Sequence, residues 1–215
     1  MDNNMLSKLL KSGVVAVVRR VERKNAMDVV SSLVSGGVTG IEITMDSEDA
    51  LGAIHEASAR FGHKAVIGAG TVLDGKRAQQ AIEAGAEFIF APTLKQETIE
   101  SAKRLEKIVI PGVFTPTEIL QAHEWGADVV KVFPASTLGP DFIKQVRAPL
   151  GHVKMMPTGG VELSNTKAFI KAGSVAVGVG GSLVRKDLIE DQKWEELSRL
   201  AEQFVQRVKE GRSQN

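Results

Sequence analysis

Eight short apolar runs, rich in β-branched residues, recur along the chain at 14–19, 40–44, 65–71, 88–92, 108–113, 129–133, 153–157 and 174–180. Their starts lie 20–26 residues apart. Most lack the alternation of a half-exposed strand, so they read as strands buried on both faces, the signature of a parallel sheet. Most of the intervening stretches carry helical periodicity. Gly36-Gly37, Gly85, Gly126 and Gly173 fall late in such stretches or just after them, where a left-handed C-terminal residue is wanted. Ser164-Asn165 predicts an N-cap region, and Pro116 fits the first turn of a helix. Residues 2–11 predict an additional amphipathic helix at the start. Residues 192–209 predict the last one, with Trp194, Leu197, Leu200, Ala201, Phe204 and Val208 at helical spacing.

Strands alternating with helices predict βαβ units. Eight such units, with no linker or composition break, predict a single domain over residues 1–215. The expected fold class is α/β, a (β/α)8 TIM barrel with an extra N-terminal helix. At 215 residues the chain is near the short end for that barrel, so the connecting loops must be brief. The repeat is structural, because the units share no strong sequence identity.

Charge and composition narrow the class of function. Lys+Arg number 27 against 26 Asp+Glu, with no long block of one sign. Neither nucleic acid nor an anionic membrane surface is an expected partner. No apolar run reaches the ~18 residues of a membrane span, and the first residues lack the basic-then-apolar layout of a secretory leader. Cysteine is absent, which excludes disulfides, thiol nucleophiles and Cys-ligated metals. These features together predict a cytoplasmic protein.

Polar residues inside strands or at their C-terminal ends are the informative ones in such a barrel. Glu42 interrupts Gly40-Ile41-Glu42-Ile43-Thr44, and Lys131 interrupts Val129-Val130-Lys131-Val132-Phe133. Burying either charge alone costs roughly several kcal/mol, so each needs a partner, a shifted pKa, or both. Alternation groups Glu42 with Gly40 and Thr44, and Lys131 with Val129 and Phe133. If both faces point inward, amine and carboxylate meet inside the barrel. One reading is a buried structural ion pair. The other is a catalytic amine that forms a Schiff base while the carboxylate moves protons.

Two glycine-rich turns carry a second signal. Thr158, Gly159, Gly160 and Val161 follow the seventh strand, and Gly180, Gly181 and Ser182 follow the eighth, where barrels of this kind often bind phosphate through backbone N–H groups. The Ser182 hydroxyl adds a candidate donor; the plainer reading is that these glycines relieve crowding in tight turns. Thr71, ending Gly68-Ala69-Gly70-Thr71, either bonds a substrate oxygen or caps the helix beginning near Asp74. Arg19 ends the first strand and is followed by Arg20, and alternation leaves open which of them faces the pocket. His55 and His123 sit in helical stretches and His63 and His152 in turns before strands, so none is a candidate ligand. No metal site is expected, and metal-dependent aldol chemistry is disfavoured.

The chain resembles the 2-dehydro-3-deoxy-phosphogluconate aldolase family, which includes bifunctional 4-hydroxy-2-oxoglutarate aldolases. The likeness runs from about Val14 to Val184. It rests on Val-Val-Arg at 17–19, Gly-Gly-Val and Ile-Glu-Ile-Thr within 36–44, Gly-Ala-Gly-Thr-Val at 68–72 and Ala-Pro at 91–92. Pro-Gly-Val-Phe-Thr-Pro-Thr-Glu at 111–118, Lys-Val-Phe-Pro at 131–134, Pro-Thr-Gly-Gly-Val at 157–161 and Val-Gly-Val-Gly-Gly-Ser at 177–182 complete it. The resemblance implies a class I aldolase that cleaves a phosphorylated 2-keto-3-deoxy sugar acid to pyruvate and glyceraldehyde 3-phosphate. It implies Lys131 as the Schiff-base lysine and Glu42 as the general acid/base. Thr71 would contact the pyruvyl part, Pro92 and Phe133 would wall the pocket, and Gly160, Val161, Gly181 and Ser182 would hold the phosphate. It further implies a homotrimer with no metal and no cofactor.

One position departs from the pattern. Several members carry Arg two residues after the Thr of Glu-x-Thr, where it pairs with the substrate carboxylate, whereas this chain has Asp46. Other members lack that Arg and place one at the end of the first strand, as Arg19 is here. Asp46 would then cap a helix starting near Ser47 or bond substrate hydroxyls. Two further classes of function fit the same residues: a phosphate-binding barrel isomerase or epimerase using Glu42 and Lys131 as acid and base, and a non-catalytic phosphate-metabolite-binding trimer.

Overall fold

Strand and helix alternate through the computed structural model, which describes residues 3–213. Helix α1 (Asn3–Leu10) leads into β1 (Val14–Val18), α2 (Arg23–Ser35), β2 (Gly40–Thr44), α3 (Ala50–Phe61), β3 (Val66–Gly70), α4 (Gly75–Glu83), β4 (Phe88–Phe90) and α5 (Gln96–Arg104). There follow β5 (Ile108–Ile110), β6 (Gly112–Val113), α6 (Pro116–Glu124), β7 (Val130–Val132), α7 (Ala135–Arg147), β8 (Met155–Pro157), α8 (Leu163–Lys171), β9 (Val177–Val179), α9 (Lys186–Glu190) and α10 (Trp194–Arg212). The strands form a six-stranded sheet in the order β5-β4-β3-β2-β1-β9 and a three-stranded sheet β6-β7-β8. Every strand pair is parallel.

The run at 108–113 spans both β5 and β6, with Pro111 between them. Proline has no N–H for a ladder, but its carbonyl accepts from Lys131 N at 2.8 Å. At the other end of the small sheet, Thr158 forms an isolated parallel bridge with Gly178.

Alternation sorts the side chains into two apolar layers. Val14, Ala16, Val18, Ile41, Ile43, Val130 and Val132 pack against the helices. Val15, Val66, Phe88, Phe90, Ile110, Val129 and Met156 form a separate inner cluster, which Leu9 of α1 joins from the N-terminal ends of the strands. Leu9 sits so close to Gly40 that a Cβ there would lie 2.8 Å from Leu9 Cδ1. Helix α1 is thus a plug, and α10 is tied to its end by Arg212, which donates to the carbonyls of Leu10 and Lys11.

The helix termini correct some expectations and match others. Glu162, not Ser164-Asn165, is the N-cap of α8; its N–H donates to Asn165 Oδ1 at 2.9 Å, and its backbone carbonyl accepts from the N–H of Asn165. The helix after β2 starts at Ala50 with Asp49 as N-cap, so neither Asp46 nor Ser47 begins it. Pro116 opens α6 inside a capping box of Thr115 and Glu118. Asp74 caps α4 by accepting from Arg77 N at 2.7 Å, which leaves Thr71 without that role. Among the described residues no helix is long and apolar enough to cross a membrane.

Candidate active site

Glu42 and Lys131 both point to the inner side, because their outward neighbours Ile41, Ile43, Val130 and Val132 pack against the helices. Glu42 is 0 % exposed and Lys131 3 %. The Lys131 Nζ lies 4.2 Å from the centroid of the Phe90 ring and 4.8 Å from that of Phe133. Aromatic faces favour the ammonium form, yet withdrawal from water outweighs them. Burial pushes the Lys131 amine below its ordinary range, with Glu42 opposing that fall and Arg19 adding to it. Burial likewise pushes the Glu42 carboxyl up to about 7, against the attraction of Lys131 and Arg19.

Neither Glu42 oxygen has a hydrogen-bond partner among the described residues, and the same holds for Thr158 Oγ1. Buried polar atoms are normally satisfied, and exceptions concentrate where chemistry occurs. Thr158 follows Met156 on the inner face, so these orphaned oxygens share the interior with the lysine.

The C-terminal rim supplies the cations. Arg19 Nη2 donates to Thr71 Oγ1 at 3.1 Å, and Arg19 Nη1 lies 3.8 Å from Asp46 Oδ2. Arg20 Nε donates to the same Asp46 oxygen at 2.9 Å. Arg19 is therefore the arginine that reaches toward the pocket, and Arg20 braces its neighbour. Arg20 and Thr71 have φ of 50° and 56°, the left-handed region, which is strained for a β-branched residue such as Thr71. Asp46 is partly buried, which would raise its pKa, but hydrogen bonds from Thr44 and Arg20 and the charge of Arg19 hold it below the ordinary value.

The two glycine turns lie side by side past β8 and β9. Gly159 and Gly160 have φ of 87° and 75°, and a Cβ on Gly160 would meet Ser136 Cβ at 2.4 Å, so glycine is required there on both counts. The backbone N–H groups of Gly160, Val161, Gly181 and Ser182 have no partner among the described residues. A Cβ on Gly181 would meet nothing within 4 Å, so that turn is open to an incoming group. The Ser182 hydroxyl is engaged within the protein: it donates to the Val161 carbonyl at 2.6 Å and clamps the two turns together.

Phe90 escaped the sequence reading. It is the β4 side chain in contact with the amine, while Pro92 stands two residues on with its carbonyl packed over Gly112. Its position on the inner face with Phe88 was the available signal. Among the described residues no three His, Asp or Glu side chains cluster as a metal would require.

A buried lysine of lowered pKa beside a carboxyl of raised pKa, under a rim of unpaired N–H groups, is a site for covalent carbonyl chemistry on an anionic substrate. The family model described as KDPG and KHG aldolase matches residues 5–200. The KHG/KDPG aldolase of Escherichia coli K12 is 32 % identical over 197 residues, covering 91 % of each chain. The 2-dehydro-3-deoxy-6-phosphogalactonate aldolase of the same strain is 32 % identical over 204 residues, covering 93 % of this chain and 96 % of its own. The crystal structure of the KDPG aldolase of Legionella pneumophila, with pyruvate captured as a covalent carbinolamine, superposes with a TM-score of 0.86. It shares 25 % identity and covers 94 % of this chain and 98 % of its own. The chain belongs to the KDPG and KHG aldolase family.

Proposed function

We propose that this chain is a class I aldolase that cleaves 2-dehydro-3-deoxy-6-phosphogluconate, or a related phosphorylated 2-keto-3-deoxy sugar acid, to pyruvate and glyceraldehyde 3-phosphate. The observation that carries the reading is Lys131, buried between two aromatic rings in the interior it shares with Glu42. A lowered pKa raises the neutral fraction of its amine.

The neutral Nζ attacks C2 of the ketone to give a carbinolamine, which loses water to a protonated imine. Glu42 takes the proton of the C4 hydroxyl as the C3–C4 bond breaks, and that bond's electrons flow into the imine as an enamine. The aldehyde departs, C3 is protonated from the same carboxyl, and water hydrolyses the imine to pyruvate. Arg19 receives the substrate carboxylate and Thr71 the pyruvyl oxygen. Pro92 and Phe133 flank the reacting carbons. Thr158, Gly159, Gly160, Val161, Gly180, Gly181 and Ser182 form the phosphate end, served by backbone N–H groups.

The chain works as one (β/α)8 domain over 1–215 with α1 as the extra helix. The two sheets then count as eight staves: β5 and β6 are one stave interrupted by Pro111, and the Thr158–Gly178 bridge joins the sheets at the other seam. A homotrimer in the cytoplasm is the assembly and setting the family likeness suggests. Borohydride reduction with pyruvate tests the chemistry. A single pyruvyl adduct on Lys131 is expected; an unmodified protein, or an adduct on another lysine, overturns the assignment.

A further inference from the structure

Arg19 borders two sets of polar groups. On the pocket side are Asp46, 3.8 Å away, and the Thr71 hydroxyl. Arg19 also lines a cleft of about 310 Å³, together with Arg20, Glu22, Val184, Lys186 and Glu190 among others. The Arg19 side chain is 47 % exposed, so packing does not lock it on either side. In that cleft Glu22 already pairs with Lys24 at 2.8 Å and Glu190 with Lys186 at 3.4 Å. Asp46 is itself held: Arg20 Nε donates to it, Arg20 N donates to Ser47 Oγ, and Ser47 Oγ is 3.0 Å from Thr44 Oγ1.

We propose that Asp46 is a positioning residue, an anchored carboxylate that holds the Arg19 guanidinium over the pocket against Thr71 and keeps it out of the adjoining cleft. This rests on the reading of Arg19 as the group that receives the substrate carboxylate. An acidic residue on the rim would by itself repel an anionic substrate. Shared between two arginines, it instead orients one of them and leaves a net positive rim.

Charge gives a readout that separates positioning from mere stabilisation. Glu42 faces Lys131 from β7, Arg19 from β1 and Asp46 from beyond β2, whereas β3 presents only Gly68 and Gly70. Arg19 acts on Glu42 more strongly than Asp46 does, and with opposite sign. If Asp46→Asn lets Arg19 swing into the cleft, Glu42 loses the larger, favourable charge, and its apparent pKa rises. If Arg19 stays in place, only the Asp46 charge is lost, and the pKa falls.

The experiment is a cycle of Asp46→Asn, Arg19→Ala and the double variant, with pyruvate KM in the condensation direction and the pH profile of kcat/KM for cleavage. Asp46→Asn is expected to raise the pyruvate KM about two- to fivefold, the scale of a partly exposed ion pair. It should also move the acid limb to higher pH and add nothing in the Arg19→Ala background. Asp46→Glu should restore KM. An acid limb moving to lower pH, or an undiminished Asp46→Asn effect without Arg19, overturns the proposal. If Arg19→Ala itself leaves the pyruvate KM unchanged, the carboxylate role of Arg19 fails and the positioning falls with it. If Arg19→Ala weakens pyruvate but Asp46→Asn does not, the positioning alone fails.

Discussion

The carboxyl of Glu42 fills the place where a side chain on Gly70 would stand. A Cβ built on Gly70 would lie 1.6 Å from Glu42 Oε1 and 2.2 Å from its carboxyl carbon. The glycine sits on the neighbouring strand, paired in register with Thr44, two residues beyond Glu42. Gly70→Ala should therefore displace the carboxyl from the interior with little change in the strand itself. Cleavage should slow by about 10²-fold or more, the usual scale for losing a general acid/base, while borohydride trapping of pyruvate persists. Near-normal turnover in a folded Gly70→Ala variant would remove Glu42 from the proton-transfer step.

Lys131→Met should abolish both turnover and trapping without loss of fold. The substitution removes a charge buried at 3 % exposure and keeps a side chain of similar length against Phe90 and Phe133. A melting temperature equal to or above that of the parent protein is expected in a thermal scan. Trapping that survives in this variant would move the nucleophile elsewhere.

Glu42→Gln should lower cleavage by roughly 10²–10⁴-fold, and its stability should depend on pH differently from the parent's. The Glu42 carboxyl is raised from 4.5 to about 7 in the folded chain. Between those values the native state binds more protons than the unfolded state, so this group's contribution to stability is fully present below about 4.5 and declines as pH rises through about 7. Glu42→Gln lacks that decline. The stability difference, variant minus parent, should grow in favour of the variant from pH 5 to pH 8 in urea titrations. A constant difference across that range would mean that the carboxyl is not desolvated.

Ser182→Asp should raise KM for phosphorylated substrates far more than for unphosphorylated 4-hydroxy-2-oxoglutarate. The change removes the hydroxyl that clamps Val161 and places an anion beside four N–H groups that have no partner among the described residues. Equal losses on both substrates would indicate general damage to the two turns and would withdraw them as the phosphate end.

The chemistry was easier to read from the chain than its surroundings were. A period of two along a single strand put Glu42 and Lys131 on chosen faces. The inner cluster then settled that both faces point inward. What surrounds them depends on register between strands, which no local pattern encodes. Gly70 reads as one glycine of a turn until β2 and β3 are paired, and Phe90 reads as one more apolar residue until β4 is set opposite Lys131. Arg19 alternates in phase with Val15, so counting along β1 separates it from Arg20 once Val15 is known to be inside. The role of Asp46 was out of reach, because it depends on two side chains from a different strand end meeting one carboxylate. Ser164-Asn165 misled because the helix begins earlier, at Leu163 with Glu162 as N-cap, and the Asn165 side chain reaches back to the Glu162 N–H.

Leu9 seated against Gly40 closes the interior at the N-terminal ends of the strands, and α10 holds that closure through Arg212. On the proposed reading, substrate then reaches Lys131 from the opposite, C-terminal ends of the strands. The pyruvyl fragment of the proposed Schiff base stays covalently bonded to Lys131 after C3–C4 cleavage, so the aldehyde must leave before pyruvate in cleavage. In the reverse direction pyruvate must enter first. An ordered release follows from that bond, with the plug barring exit at the N-terminal ends: product inhibition by pyruvate should be competitive with the sugar acid, and inhibition by the aldehyde should not.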